Sequence, residues 1–422
     1  MNSVNKLPFR KVWWLNPSYI VAVFLIPIYL LLWIAGVYTD GNISTAKGFY
    51  FFYGEYAFLG LSALIVMYVG TLSPIKHIQK PSSSISTRVD VSLNMTVLAL
   101  IGCIALVGYL YWFKDIILNP NILISRLQQG SVVGVRGTIE RSAGIASLAQ
   151  IGLVYAMVFT YQYLLDKHDL KKIHYVLFIA IITFVVIRAL LWSERLALLE
   201  VSIAIIFVWA SYSKRQRSFV EIMLLFLPLI GASFVILLFA IGEYFRSWSS
   251  FYMYQSEGFW EFIFQRLANY YFEALNTGAG MLTTQSWPTY EFSYILAWLH
   301  KLPFIGNLFS YAIDVSPSMT AAFLEKYADP EFNNPSGVFS VFVDIGVGGG
   351  LFFFFLLGAV SRYFYSMLEN RVRFYGLFYF IFLMMFLELF RYFYIGESRV
   401  FMILLGLLLL VVTQKKIRAI EK

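Results

Sequence analysis

The chain has 422 residues, of which 59% are hydrophobic and 13% charged, and carries a formal net charge of +8. Soluble domains hold about a quarter charged residues, and so much apolar surface would leave large adhesive patches in water, so a soluble globular fold is excluded. A single cysteine, Cys103, and four histidines without ligand spacing exclude a disulfide framework and a structural zinc site.

A membrane-spanning helix needs about 20 apolar residues. The first run of that kind begins near Ser18 and is long enough to span, so it reads as a first transmembrane helix rather than a cleavable signal peptide. Nine more follow, giving spans at 18–37, 54–72, 91–113, 144–165, 174–192, 196–212, 219–242, 337–361, 374–392 and 399–414. The expectation is an all-α, polytopic integral membrane protein: one membrane domain over 1–422 with about ten transmembrane helices. Aromatic residues, at 19%, suit wide interfacial belts.

The connections test this order. With a cytoplasmic N-terminus, one side receives Lys6, Arg10 and Lys11, then Lys76, Lys80 and Arg88, then Lys167, Lys171 and Lys172. Lys214, Arg215 and Arg217 follow on that side, then Arg362, Arg371 and Arg373, and finally Lys415, Lys416, Arg418 and Lys422. Three or four cations in each short connection is the positive-inside pattern, and it puts both termini in the cytoplasm. This distribution, set by topology, also argues against a nucleic-acid partner.

The opposite side has two long connections: an outer loop at 114–143 and a large outer (periplasmic) loop at 243–336 between the seventh and eighth helices. Loops of such length within a compact protein are usually functional. The second contains the amphipathic stretch Phe259 to Leu267, suited to lying along a membrane surface. Trp287-Pro288, Leu302-Pro303 and Asp329-Pro330 then mark turns.

Cations on this outer side are mostly arginine, whereas topology alone needs only point charge. Arginine offers a planar, bidentate fork for phosphate or carboxylate. Arg126, Arg136 and Arg141 share a glycine-rich stretch whose backbone permits close approach to a ligand. Arg188 lies about one turn below the outer surface, with Glu194 and Arg195 following it. Glu200, at similar depth on the next helix, is its natural ion-pair partner, and a cationic corner made with Arg195 is the other reading. Arg266 sits on the amphipathic stretch. Asn333-Asn334-Pro335-Ser336-Gly337 forms a turn into the eighth helix, where Asp344 precedes Gly346, Gly348, Gly349 and Gly350. An aspartate inside an apolar helix needs a partner or a role. Glu388 and Arg391, three apart, pair with each other. His300 is the only outer histidine and most simply structural. No outer DxD-type carboxylate pair calls for a divalent metal, so neither metal nor cofactor is expected.

The helix count, the late long outer loop, the Ser-Glu194-Arg195-Leu-Ala-Leu-Leu helix start and the Asn-Pro-Ser-Gly block leading to Asp344-Ile-Gly-Val-Gly together resemble the Wzy-type oligosaccharide repeat-unit polymerases. These are the O-antigen or capsule polymerases, relatives of the O-antigen ligases. The resemblance covers most of the chain as an arrangement, through short local motifs. It implies a bacterial inner-membrane glycosyltransferase of polysaccharide (lipopolysaccharide or capsule) biosynthesis. Such an enzyme passes a growing glycan from undecaprenyl pyrophosphate to a new lipid-linked unit at the outer face. A lipid-linked oligosaccharide and membrane lipid are then its partners, with a chain-length regulator protein as a candidate. It further implies Arg126, Arg136, Arg141, Arg188, Arg195, Arg266 and Asn334 as substrate contacts, and Glu194 or Asp344 as base. Some members carry Arg-x10-Gly motifs in two outer loops. Arg126 to Gly137 fits that spacing and Arg266 to Gly278 misses it by one residue. The ligases place a histidine where this chain reads Asn333-Asn334-Pro335-Ser336, which counts against a ligase. A flippase or other lipid-linked oligosaccharide transporter is the non-enzymatic alternative.

Overall fold

The structure of the protein, a computed structural model, describes residues 12–39, 49–74, 90–121, 145–192, 195–213, 218–249, 252–254, 258–302, 306, 323–328, 332, 334–370 and 373–417. Nearly all of this is helix: α1 (Pro17–Tyr38), α2 (Gly54–Thr71), α3 (Met95–Trp112), α4 (Ile145–Leu165), α5 (Lys172–Trp192), α6 (Arg195–Tyr212), α7 (Ser218–Glu243), α8 (Phe259–Thr284), α9 (Phe339–Glu369), α10 (Phe374–Glu388) and α11 (Ser398–Val412). Six of these, α1 to α5 and α9, are long and apolar enough to cross a membrane. The apolar stretches Leu196–Tyr212 in α6 and Leu227–Glu243 in α7, with α10 and α11, are shorter. All ten predicted segments are thus helical, and α8 adds an amphipathic helix between α7 and α9.

Helix is the form a lipid-facing chain must take, because hydrocarbon offers no partner for an open backbone N–H or C=O. Side chains such as Leu31, Ile34 and Leu229 are exposed on the protein's surface, as a lipid-facing helix requires. Local signals fix the starts. Asn16 accepts from Ser18 N at 3.0 Å ahead of Pro17, and Asn94 accepts from Thr96 N at 3.2 Å ahead of α3.

The chain divides into two compact units. One comprises Met1–Val12, Gln79–Ile263 and Met402–Lys422; the other comprises Trp13–Ile78 and Phe264–Phe401. In the first unit α3 runs antiparallel to α4, with Gly108 against Ala149 and Gly102 against Tyr155. α4 runs parallel to α6, where the rings of Tyr161 and Tyr212 meet at 5.0 Å. A two-stranded antiparallel ribbon joins Asp90–Ser92 to Lys415–Ile417, two segments that the charge pattern puts on one side.

In the second unit α1 and α2 are antiparallel: Ser18 Oγ donates to Thr71 O at 3.4 Å, and Tyr29 OH to Ala57 O at 2.9 Å. α2 and α9 run parallel. Phe52 and Phe339 meet near their starts, with ring centroids 6.1 Å apart. Further along, Gly70 and Gly358 bring the two backbones together so closely that a Cβ on Gly358 would strike Met67 O. α10 returns antiparallel to α9, pairing Tyr379 with Tyr365 at 5.3 Å, and Tyr379 OH donates to Leu15 O at 2.6 Å. Each of these five pairs runs in the direction that its place in the predicted crossing order requires.

Candidate functional site

The eighth predicted span is not one straight helix. α9 breaks at Gly346, whose φ of 72° and ψ of −178° lie outside helical space and in a region essentially reserved for glycine. The segment after α8 occupies the break. Thr289 N donates to Val343 O and Tyr290 N to Asp344 O, each at 2.8 Å. Tyr294 N and Ile295 N both donate to Asp344 Oδ2, at 2.9 and 2.8 Å. Asp344 is 0% exposed. A buried carboxylate is tolerated where it is hydrogen-bonded, and here two consecutive amides do that. Asp344 therefore anchors a connection to a broken helix.

At the start of α9, Ser336 has φ 56°, its N–H donates to Arg391 O at 3.0 Å, and its Oγ accepts from Val338 N at 3.2 Å. Gly337 N donates to Leu389 O at 2.9 Å. The turn of Asn334 to Gly337 is thereby bonded to the segment that follows α10. Asn334 itself is partly buried there.

Arg391 in that segment pairs with Glu388 at 2.8 Å, three residues apart as its spacing predicts. Its guanidinium lies 5.6 Å from the ring of Tyr270 and 5.7 Å from that of Tyr392. Tyr270 packs edge-on against Phe332 at 5.0 Å, and the guanidinium of Arg266 lies 5.4 Å from that same Phe332 ring. Arg266 is 5% exposed. Two guanidiniums thus flank one aromatic pair, within cation–π range on each side. Tyr271, on the next position of α8, has its phenol pushed up from the usual tyrosine range by burial and then by Glu388, against the pull of Arg391. It stays a neutral hydrogen-bonding group.

No family model, curated protein or solved structure matches the chain.

In the second unit Arg266 meets residues that the sequence did not mark for a site, Phe332 and through it Tyr270, with Tyr392 beside Arg391; Asn334 lies in the turn bonded to the Arg391 segment, and Asp344 is bonded to the strap after α8. Arg391 was legible as one of the outer-side arginines and as the partner of Glu388, and not as a neighbour of Tyr270. In the first unit Arg188 is buried and stacks 3.8 Å from the Trp112 ring, and Glu200 is buried too. The aromatic partner of Arg188 carried no sequence signal, since any interfacial tryptophan reads alike. Arg126, Arg136, Arg141 and Glu194 lie outside the described residues, as does the side chain of Arg195. Among the described residues no three His, Cys, Asp or Glu side chains group as metal ligands would.

Proposed function

We propose that this protein is a membrane-embedded polymerase of oligosaccharide repeat units. It would take a glycan from a polyprenyl-pyrophosphate carrier and transfer it to the next lipid-linked unit at the outer membrane face. One observation carries the reading: the pair of guanidiniums, Arg266 and Arg391, set about the Phe332–Tyr270 pair and walled by tyrosines. Cleaving a sugar from pyrophosphate gathers negative charge on the departing group, and fixed donors in a partly dry site stabilise that charge most. Arg391 is held by Glu388, so its fork is pre-set, and tyrosine hydroxyls nearby supply neutral donors. Ten crossings with both termini cytoplasmic put these segments at the outer ends of their helices, where a lipid-linked donor presents its headgroup. Of the residues the resemblance implies, the cluster contains Arg266, with Arg391 added; Asp344 is a positioning residue outside it, and Glu194 is left as the base.

A transporter of lipid-linked oligosaccharide is the second reading, and the broken α9 favours it, because discontinuous helices often line substrate paths in transporters. One experiment separates them. In a strain lacking this gene, surface glycan is resolved on gels after complementation with wild type, Arg266→Lys or Arg391→Lys. A ladder that collapses to a single attached repeat marks a polymerase, and both lysine variants should fail to restore it, since lysine keeps charge but loses the bidentate fork. Complete loss of attached repeats would count for transport or ligation and against polymerisation.

A further inference from the structure

The connection stitched into the break of α9 reads Thr289-Tyr290-Glu291-Phe292-Ser293-Tyr294. Its two outermost rings face away from the protein: Tyr290 is 65% exposed and Phe292 41%. Both have left-handed backbones, with φ of 57° and 56°. Bulky residues adopt that conformation only where the surroundings impose it, and such positions gather at ligand-holding sites. Here it is imposed by the Asp344 carboxylate and by the backbone bonds from Thr289 and Tyr290. Packing gains little from the arrangement, because the rings so constrained are the exposed ones.

Polar groups alternate with the rings. Glu291 lies between Tyr290 and Phe292, Ser293 Oγ donates to Glu291 Oε2 at 3.4 Å, and His300 Nε2 is bonded to Glu291 O at 3.0 Å. An acyl chain would call for rings alone, and a carboxylate between two lipid-inserted rings is costly in hydrocarbon. A pyranose ring asks for both: its C–H face packs on an aromatic ring while its rim hydroxyls bond to a carboxylate and to neighbouring hydroxyls.

We infer that this strap is a saccharide-binding subsite. Tyr290 and Phe292 stack on sugar rings, Glu291 accepts from sugar hydroxyls, and Asp344 is the positioning residue that holds the strap from beneath. The inference rests on the proposed function, since it takes the glycan of the lipid-linked substrate as the ligand.

The test uses the full-length protein in detergent micelles. The probe is the lipid-free oligosaccharide released by mild acid from the host's own polyprenyl-pyrophosphate pool, followed by saturation-transfer NMR. Wild type should transfer saturation to sugar-ring protons. Tyr290→Ala with Phe292→Ala should weaken binding at least tenfold, and Tyr290→Trp with Phe292→Tyr should retain it, which controls for misfolding. Arg266→Gln should leave lipid-free sugar binding intact. Asp344→Asn keeps an oxygen for both amides, so in a polymerisation assay KM should change by no more than a few fold with kcat and pH profile preserved. Asp344→Ala should raise KM severely at similar kcat. Absence of binding to wild type, or unchanged binding to the double alanine variant, would overturn the subsite. So would a double alanine variant that binds sugar normally yet releases sugar-free phosphatidylethanolamine–phosphatidylglycerol vesicles, since that marks a lipid anchor. Loss of kcat in Asp344→Asn would overturn the positioning role. A gene-deletion strain with an intact ladder would instead defeat the polymerase reading, whatever the binding result.

Discussion

Arg266 and Arg391 reach the same aromatic pair from different elements, and the sequence announces them unequally. Arg266 stands out as an outer-side arginine on an amphipathic stretch. Arg391 reads as half of an i,i+3 pair, and the structure contains that pair at 2.8 Å. What the spacing could not reveal is the ring of Tyr270 beside it, because a tyrosine on a helix announces no distant cation. Asp344 is legible as an anomaly and no more: its partners are backbone amides of Tyr294 and Ile295, which leave no residue-type signature. The Glu388–Arg391 pair is testable by a double-mutant cycle. Glu388→Gln should cost about 1.5–3 kcal/mol, the range for a hydrogen bond to a charged group, read as a lowered melting temperature in detergent. Adding Arg391→Gln should recover part of that stability and none of the polymer ladder. Full activity in the double variant would remove Arg391 from the site.

At the scale of elements, apolar run length located ten of the helices, six of them long and apolar enough to cross a membrane, since lipid exposure is a composition property and needs no partner. The break in α9 escaped it. Gly346, Gly348, Gly349 and Gly350 all read as small residues for close packing, and only Gly346 takes a positive φ. Gly346→Ala should therefore destabilise the protein by about 1–3 kcal/mol through its backbone conformation alone, while Gly348→Ala, in open space, should be near neutral. Thermal unfolding of both variants checks this; equal melting points would mean that the break is not fixed at Gly346. Gly358→Leu meets backbone of α2 directly. It should cost at least the 1–3 kcal/mol of an overpacked core, with lowered yield of folded protein as the measure.

For the whole molecule, charge asymmetry along the chain was the strongest guide to orientation, and the helix directions within each unit agree with an alternating order. The long connection between α7 and α9 reads as a functional loop by its length alone. Its content was not, because the strap and the α8 cluster depend on contacts between residues far apart in sequence. Orientation is open to direct measurement. With Cys103 replaced by Ala, a cysteine at Asp169 or Gln414 should resist a membrane-impermeant maleimide in intact spheroplasts, whereas one at Glu325 or Glu291 should react. The reverse pattern would invert the topology and place the arginine cluster in the cytoplasm.

The break at Gly346 also separates two mechanical tasks within one helix. Beyond it, Gly70 and Gly358 let the backbones of α2 and α9 meet, so that part is closely packed. Before it, the turn from Phe339 to Ile345 carries the strap through Asp344 and joins the segment bearing Arg391 through Ser336. The strap is thus bonded to the part of α9 that precedes Gly346, and the arginine segment to the turn that leads into it. In the polymerase proposed above, the parts that would hold the substrate and the tightly packed shaft would thus lie on opposite sides of one glycine.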